Sequence, residues 1–145
     1  GNRVYDITPD LIKLTKTIKT KNMKLLVLDD ERDVKILFEQ RFRKEIRKGE
    51  IDFVFAFSGE EAIQTMNTLD QEAVLILSDI NMPGMSGLEL LEHIKKTFLQ
   101  PPPVVMMITA YGDEENRQTA KRLGADAFLT KPLDFKLLKS ELLNI

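Results

Sequence analysis

The chain has 145 residues, of which 43% are hydrophobic and 30% are charged, with a formal net charge of −2 and no cysteine. This length suits one domain, and the composition is that of a globular protein. The near balance of charge argues against nucleic-acid binding, which needs a clustered basic face. The lack of cysteine excludes disulfides and thiolate metal sites. No apolar stretch approaches the ~20 residues that cross a bilayer, so we expect a soluble protein without a membrane partner. The lack of cysteine also fits a reducing compartment, and we expect the cytoplasm.

The first 22 residues differ from the rest of the chain. They carry five basic and two acidic side chains, which gives a local charge of +3. Residues 8–10 could begin a helix, because proline is favoured in the first turn, and apolar side chains follow at Leu11, Ile12, Leu14 and Ile18. We therefore predict a basic N-terminal extension over residues 1–22, either a solvated leader or linker or an additional helix, and one domain over residues 23–145.

Five short apolar runs each end abruptly in polar residues. The first, residues 25–28, is too short and too uniformly apolar for a half-exposed strand, so it predicts a central strand covered on both faces. The second is rich in β-forming aromatic residues. The predicted strands cover residues 25–28, 53–57, 75–77, 104–108 and 127–129.

A helical pattern follows each apolar run. In the first, apolar residues recur every four positions up to Gly49, and Ser58 and Ser86 each begin a Ser-x-x-Glu capping box. The predicted helices cover residues 34–49, 58–69, 86–98, 113–123 and 134–142. Because strand and helix alternate five times, the sequence predicts a doubly wound α/β domain with a mostly parallel sheet and helices on both faces.

Polar side chains that could bind a ligand or react lie at the carboxyl ends of the predicted strands, where such sheets place their ligand sites. These residues are Asp29, Asp30, Asp79, Thr109 and Lys131. The pattern therefore predicts three carboxylates, a hydroxyl and an ammonium on one edge of the sheet, which we call the rim.

The rim carboxylates predict a metal site. If they converge to within ~5 Å, each pair repels by about 3 kcal/mol at an effective dielectric of ~20. A divalent cation would offset this repulsion, and an all-oxygen site suits Mg²⁺, which also bridges phosphoryl oxygens. Asp79 is then the predicted nucleophile that forms an acyl phosphate, with Thr109 and Lys131 holding the transferred oxygens.

Four motifs make residues 23–143 resemble the receiver domains of two-component response regulators. They are the acidic entry Val27–Glu31, the turn Ser78–Gly87, the segment Ile108–Ala110 and the segment Gly124–Pro132. The resemblance implies a flavodoxin-like sheet of five parallel strands in the order 2-1-3-4-5, with five helices. It also implies that the Lys131–Pro132 peptide bond is cis.

The resemblance further implies the metal ligands. Asp30, Asp79 and the backbone carbonyl of Asn81 would bind Mg²⁺, and Asp29 would act through water. Asn81 and Tyr111 occupy positions that tune the lifetime of the phosphoryl group in this family.

The implied activity is signalling. The chain would accept a phosphoryl group on Asp79 from a histidine kinase or phosphotransfer protein, and would catalyse only its own phosphorylation and dephosphorylation. Phosphorylation would recruit Thr109 and Lys131 and let Phe128, the aromatic switch residue, turn inward. The face that changes is formed by the fourth helix and the fifth strand. A homodimer could form through the fourth helix, the fifth strand and the fifth helix. An output domain or effector would lie outside this chain.

Three alternatives remain at this point. One is an interaction module of the same fold that works without phosphorylation, which the complete set of rim residues opposes. A flavodoxin-like electron carrier is disfavoured because acids after the first strand would repel a flavin phosphate. A phosphohydrolase of the haloacid dehalogenase type needs an Asp-x-Asp motif, but Asn81 stands at its second acidic position.

Overall fold

The computed structural model describes residues 5–7, 23–69, 74–82, 84–98 and 103–143. The strands in these ranges are β1 Tyr5–Ile7, β2 Met23–Leu28, β3 Ile51–Ala56, β4 Val74–Asp79, β5 Val104–Thr109 and β6 Ala127–Thr130. The helices are α1 Asp33–Arg41, α2 Arg43–Arg47, α3 Gly59–Thr68, α4 Gly87–Thr97, α5 Glu114–Arg122 and α6 Phe135–Leu143. Each of these helices falls short of the length and apolarity that crossing a bilayer requires.

One sheet contains all six strands, in the order β1-β6-β5-β4-β2-β3. Strands β2 to β6 are parallel, and counted among themselves they follow the predicted order 2-1-3-4-5. The predicted flavodoxin-like fold is therefore confirmed. Strand β1 is an addition that the sequence analysis does not predict, and it pairs antiparallel with β6. The predicted extra helix falls on residues 8–22, which lie outside the described residues.

The sheet divides the hydrophobic core into two layers, because successive side chains of a strand point to opposite faces. On one face, Leu25, Val27 and Leu75 pack with residues of α1 and α6. On the other face, Leu26 and Ile76 pack with residues of α3, α4 and α5. Burial on both faces explains why the central strands read as continuous apolar runs.

The first predicted helix is two helices, so the described chain has six instead of the expected five. Phe42 separates α1 from α2 with φ −110° and ψ 24°. Its backbone still accepts a hydrogen bond from Ile46 N–H and donates one to the Phe38 carbonyl. The fully buried Phe42 ring packs edge-on against Phe53 at 5.1 Å between centroids. The apolar period of four is therefore present, but the helical backbone bends where this ring enters the core.

Candidate functional site

Three carboxylates meet at the carboxyl ends of the two central strands. Asp29 and Asp30 follow β2, and Asp79 is the last residue of β4, which pairs with β2. One carboxylate oxygen from each residue lies within 4.8 Å of the other two. Asp79 is buried, with 2% of its surface exposed, whereas Asp29 is half-buried and Asp30 is exposed. The structure therefore brings together the three acids that the sequence places on the rim.

Lys131 reaches the same cluster from the end of β6. Its Nζ donates a hydrogen bond to Asp79 Oδ2 at 2.6 Å, and its backbone N–H donates to the Thr109 carbonyl at 2.8 Å. The Lys131–Pro132 peptide bond is cis, as expected. The side chain remains 47% exposed, so the ammonium contacts both the buried carboxylate and solvent.

Backbone amides hold two of the carboxylates in place. The Asn81 N–H donates to Asp79 Oδ1 at 3.0 Å, and the Glu31 N–H donates to Asp29 Oδ1 at 2.9 Å. Both oxygens of Asp79 therefore have a donor, one from the backbone and one from Lys131. The resemblance to receiver domains implies a role for the Asn81 carbonyl, and the structure adds this contact of the Asn81 N–H group.

Burial and charge shift the pKa of two groups at the site. Burial is the main reason that the pKa of Asp29 is raised above 3.8, and the nearby Asp79 and Asp30 carboxylates raise it further. The Glu31 N–H and the Lys131 ammonium act in the opposite direction. The pKa of Lys131 is raised above 10.5, because the hydrogen bond to Asp79 and the surrounding negative charge together outweigh the effect of burial. Ionising Asp29 is therefore less favourable here than for a free carboxyl group, and added positive charge would offset that cost.

The donor set fits a hard divalent cation. Three carboxylates and one ammonium leave excess negative charge in a space where one oxygen of each acid is close to the others. Mg²⁺ prefers oxygen ligands, and it usually binds through one or two carboxylates while keeping several water molecules. Asp30 supplies the exposed side and Asp79 the buried one. These residues could therefore hold Mg²⁺.

The remaining predicted residues surround this cluster. Thr109 is buried at the end of β5, and its hydroxyl donates a long hydrogen bond of 3.5 Å to the Leu129 carbonyl in β6. Asn81 is exposed, and Tyr111 is 84% exposed, which places both on the surface. Phe128 is only 3% exposed, so its ring already occupies the inward position that the prediction assigns to the phosphorylated state. The Arg117 guanidinium lies 5.1 Å from the Phe128 ring centroid, a contact that the sequence analysis misses.

A third feature that the sequence does not predict is the role of Gly87, the first residue of α4. A Cβ at this position would overlap the carbonyl oxygen of Asp79 and would lie 2.7 Å from Ile80 Cα. The Gly87 N–H also donates to the Ile80 carbonyl at 2.8 Å. Because only glycine allows α4 to begin this close to β4, Gly87 positions the turn after Asp79. The sequence feature that could have indicated this role is the position of Gly87 directly after the helix-capping residue Ser86.

Comparison with known proteins agrees with this geometry. The family description "Response regulator receiver domain" matches residues 25–143. The chain belongs to the response regulator receiver domain family. Receiver domains are signalling modules of two-component systems, and this membership excludes the flavodoxin-like and phosphohydrolase alternatives. They interact with histidine kinases or phosphotransfer proteins, and they bind Mg²⁺ at an acidic pocket.

Individual relatives cover most of the receiver domain. The chain is 32% identical over 114 residues to sporulation initiation phosphotransferase F of Bacillus subtilis, which covers 78% of this chain and 85% of that protein. A receiver domain protein from Clostridium thermocellum is 26% identical with a TM-score of 0.71, covering 84% of this chain and 92% of its own. The receiver domain of Francisella response regulator 1452 is 29% identical with a TM-score of 0.68, and the corresponding shares are 83% and 93%.

Proposed function

We propose that this receiver domain accepts a phosphoryl group on Asp79 from the phosphohistidine of a histidine kinase or phosphotransfer protein, and that this changes a partner-binding face. The supporting observation is the surroundings of Asp79, a buried carboxylate between two further acids and directly paired with Lys131. The similarity to a relative named as a phosphotransferase also supports the proposal. The output domain or effector would be outside this chain, and we place the reaction in the cytoplasm.

The transfer step needs Asp79 as nucleophile. A carboxylate oxygen forms a bond to phosphorus while the bond from phosphorus to the imidazole nitrogen breaks. The electron pair of that bond goes to the imidazole, which leaves as a neutral ring when its other nitrogen carries a proton. The Asn81 N–H fixes the carboxylate during this step, because it already holds Oδ1. Lys131 is next to the reacting oxygens and stabilises the charge on the phosphoryl group as a compact cation.

The acids at the rim would provide the metal site. Asp30, Asp79 and the backbone carbonyl of Asn81 would hold Mg²⁺, and Asp29 would act through a bound water. When bound, Mg²⁺ supplies positive charge that offsets the repulsion among the carboxylates and neutralises phosphoryl oxygens.

The response to phosphorylation would begin at Thr109. Its hydroxyl would exchange the long hydrogen bond to the Leu129 carbonyl for one to a phosphoryl oxygen. The Lys131 ammonium would move from Asp79 to a second phosphoryl oxygen. Phe128 would then fix the face formed by α5, β6 and α6, with its ring held in the inward position that it already occupies. Asn81 and Tyr111 would set the lifetime of the acyl phosphate through their exposed side chains. The same face is our candidate for a homodimer.

The test is labelling with acetyl phosphate and Mg²⁺, followed by intact mass. The parent chain should gain the mass of one phosphoryl group, and Asp79→Asn should gain none. Asp126→Asn is the matched control, because Asp126 also pairs with a lysine but lies at the other end of the sheet. It should label as the parent does.

Two outcomes would overturn the proposal. One is no labelling of the parent in Mg²⁺, and the other is equal labelling of Asp79→Asn. Either result, combined with unchanged binding of a cognate partner by Asp79→Asn, would favour the phosphorylation-independent interaction module.

A further inference from the structure

The Phe128 ring is packed into the core layer that contains α5. Its side chain is 3% exposed, and it belongs to the same layer as the fully buried Ala120. Ala120 lies three residues after Arg117 in α5, so the two side chains share one face of the helix. The small side chain at position 120 gives the ring space in this layer, and Arg117 extends over the ring from the same helix face.

Arg117 supplies a cation to this ring. Its guanidinium carbon lies 5.1 Å from the ring centroid, which is within the ~6 Å over which a cation is attracted to an aromatic face. Arg117 is itself half-buried, and partial removal from water strengthens such an attraction. A planar guanidinium can also stack on an aromatic ring, which an ammonium cannot do. The contact therefore favours the inward ring over a ring turned to solvent.

The inward ring lies next to groups that hold the rim together. The Thr109 hydroxyl donates to the Leu129 carbonyl at 3.5 Å, and Leu129 directly follows Phe128 in β6. The Lys131 N–H donates to the Thr109 carbonyl at 2.8 Å. Residues 128–131 therefore connect the ring to two rim side chains within one short segment, so a shift of this segment moves both.

We propose that Arg117 is a positioning residue that holds the Phe128 ring inward, and that this contact raises the affinity of the rim for a phosphoryl group. The second half rests on the proposed function, in which the phosphoryl group favours the inward ring. Because linkage between two sites is reciprocal, a contact that stabilises this ring position also stabilises the bound group. The first half holds whether or not Asp79 is phosphorylated.

The first measurement follows the ring position alone. The chain has no tryptophan, so Phe128→Trp introduces a single fluorescent reporter, and an indole attracts a cation at least as well as a phenyl ring. In this background Arg117→Gln should raise the acrylamide quenching constant about twofold or more. Arg117→Lys should raise it less, because it keeps the positive charge. The matched control is Arg122→Gln, which should leave quenching unchanged, because Arg122 lies in the same helix but donates to the Thr119 hydroxyl.

The second measurement concerns the rim. Beryllofluoride imitates a phosphoryl group, and its dissociation constant in Mg²⁺ is measured by fluorine NMR in the chain that retains Phe128. Arg117→Gln should raise this constant about three- to tenfold, the range expected from one cation–π contact. Arg117 has a further interaction besides this one, so the substitution is repeated in the Phe128→Leu background. Without the ring, it should change the constant by less than about twofold.

Two results overturn the proposal. One is equal quenching with and without Arg117→Gln, and the other is an equal loss of beryllofluoride affinity in the Phe128 and Phe128→Leu backgrounds. If Phe128→Trp fails to fold, the beryllofluoride comparison decides alone, since it uses the native ring. Failure of the proposed function looks different, because the parent chain would then bind no beryllofluoride while the quenching measurement still decides what holds the ring.

Discussion

Two lysine–aspartate pairs lie at opposite ends of the sheet, and they differ in what surrounds them. Lys131 contacts Asp79 at 2.6 Å at the carboxyl ends of the strands. Lys95 contacts Asp126 at 2.8 Å near the start of β5. The contact distances are almost the same, so distance does not tell which pair has a chemical role.

The difference lies in charge balance and in the number of fixed partners. Asp126 Oδ2 also accepts the Val105 N–H, and Lys95 Nζ also donates to the Pro103 carbonyl. Both side chains are about 20% exposed, so this pair is balanced and anchored to the backbone. Asp79 instead has two further carboxylates beside it and one half-exposed lysine. In the Lys95–Asp126 pair the two charges cancel, and both side chains have backbone hydrogen-bond partners, as a stabilising pair requires. The rim instead carries excess negative charge that a bound cation can neutralise.

The largest expected effect is on the labelling rate, and it distinguishes Lys131 from Lys95. Lys131→Met should slow acetyl phosphate labelling about 10²-fold, because it removes a charge stabiliser at the reacting oxygens. Lys95→Met should label at the parent rate but lower the free energy of unfolding by about 1–3 kcal/mol, because it leaves Asp126 without its cation. Labelling rates and urea denaturation measure the two quantities. Equal labelling rates for both variants would remove the distinction between the pairs.

The next largest effect should be that of Mg²⁺ on the free energy of unfolding, and only substitutions at the rim should reduce it. Mg²⁺ at 100 times its dissociation constant should raise the free energy of unfolding by about 2.7 kcal/mol. Asp30→Asn should lose most of this gain, because it removes an exposed oxygen ligand from the cluster. Asp126→Asn should keep the full gain, although it starts from lower stability. Denaturation with and without Mg²⁺ provides the comparison, and equal loss in both variants would contradict it.

The sequence predicts the rim better than it predicts the sheet edge. The apolar runs that end in Asp29 and Asp79 predict both that the strands are buried and where they end. Parallel pairing of these strands then brings the two aspartates together. The three residues of β1 carry no such period, because a strand this short depends on its pairing with β6 and not on a local pattern. Gly87 was not found for a similar reason, since its need for close approach appears only when α4 packs against Asp79.

The bend at Phe42 shows a further limit of periodicity. Apolar residues spaced by four predict one continuous helix, and the buried face is correct. The break between α1 and α2 depends on how the Phe42 ring packs with Phe38 and Phe53 in three dimensions, which spacing alone does not report.

A smaller effect should appear in the pH dependence of stability without divalent cations. The pKa of Asp29 is raised above 3.8 in the folded chain, chiefly by burial. Ionisation of Asp29 therefore costs stability as the pH rises from 3.8 through the raised pKa. Asp29→Asn should gain stability relative to the parent over this window and keep the gain at higher pH. Urea denaturation in a chelator between pH 3 and 7 measures it, and a difference that does not change with pH would contradict the prediction.

The smallest effect is expected at a third ion pair, which tests whether distance has any predictive value. Lys96 contacts Glu92 at 2.8 Å one turn away on α4, the same distance as in the Lys95–Asp126 pair, but the side chains are 74% and 46% exposed. Solvent screens an exposed pair of this kind, so Lys96→Met should lower the free energy of unfolding by only about 0.3–0.5 kcal/mol. A loss as large as that of Lys95→Met would mean that contact distance, and not burial with fixed backbone partners, determines the strength of these pairs.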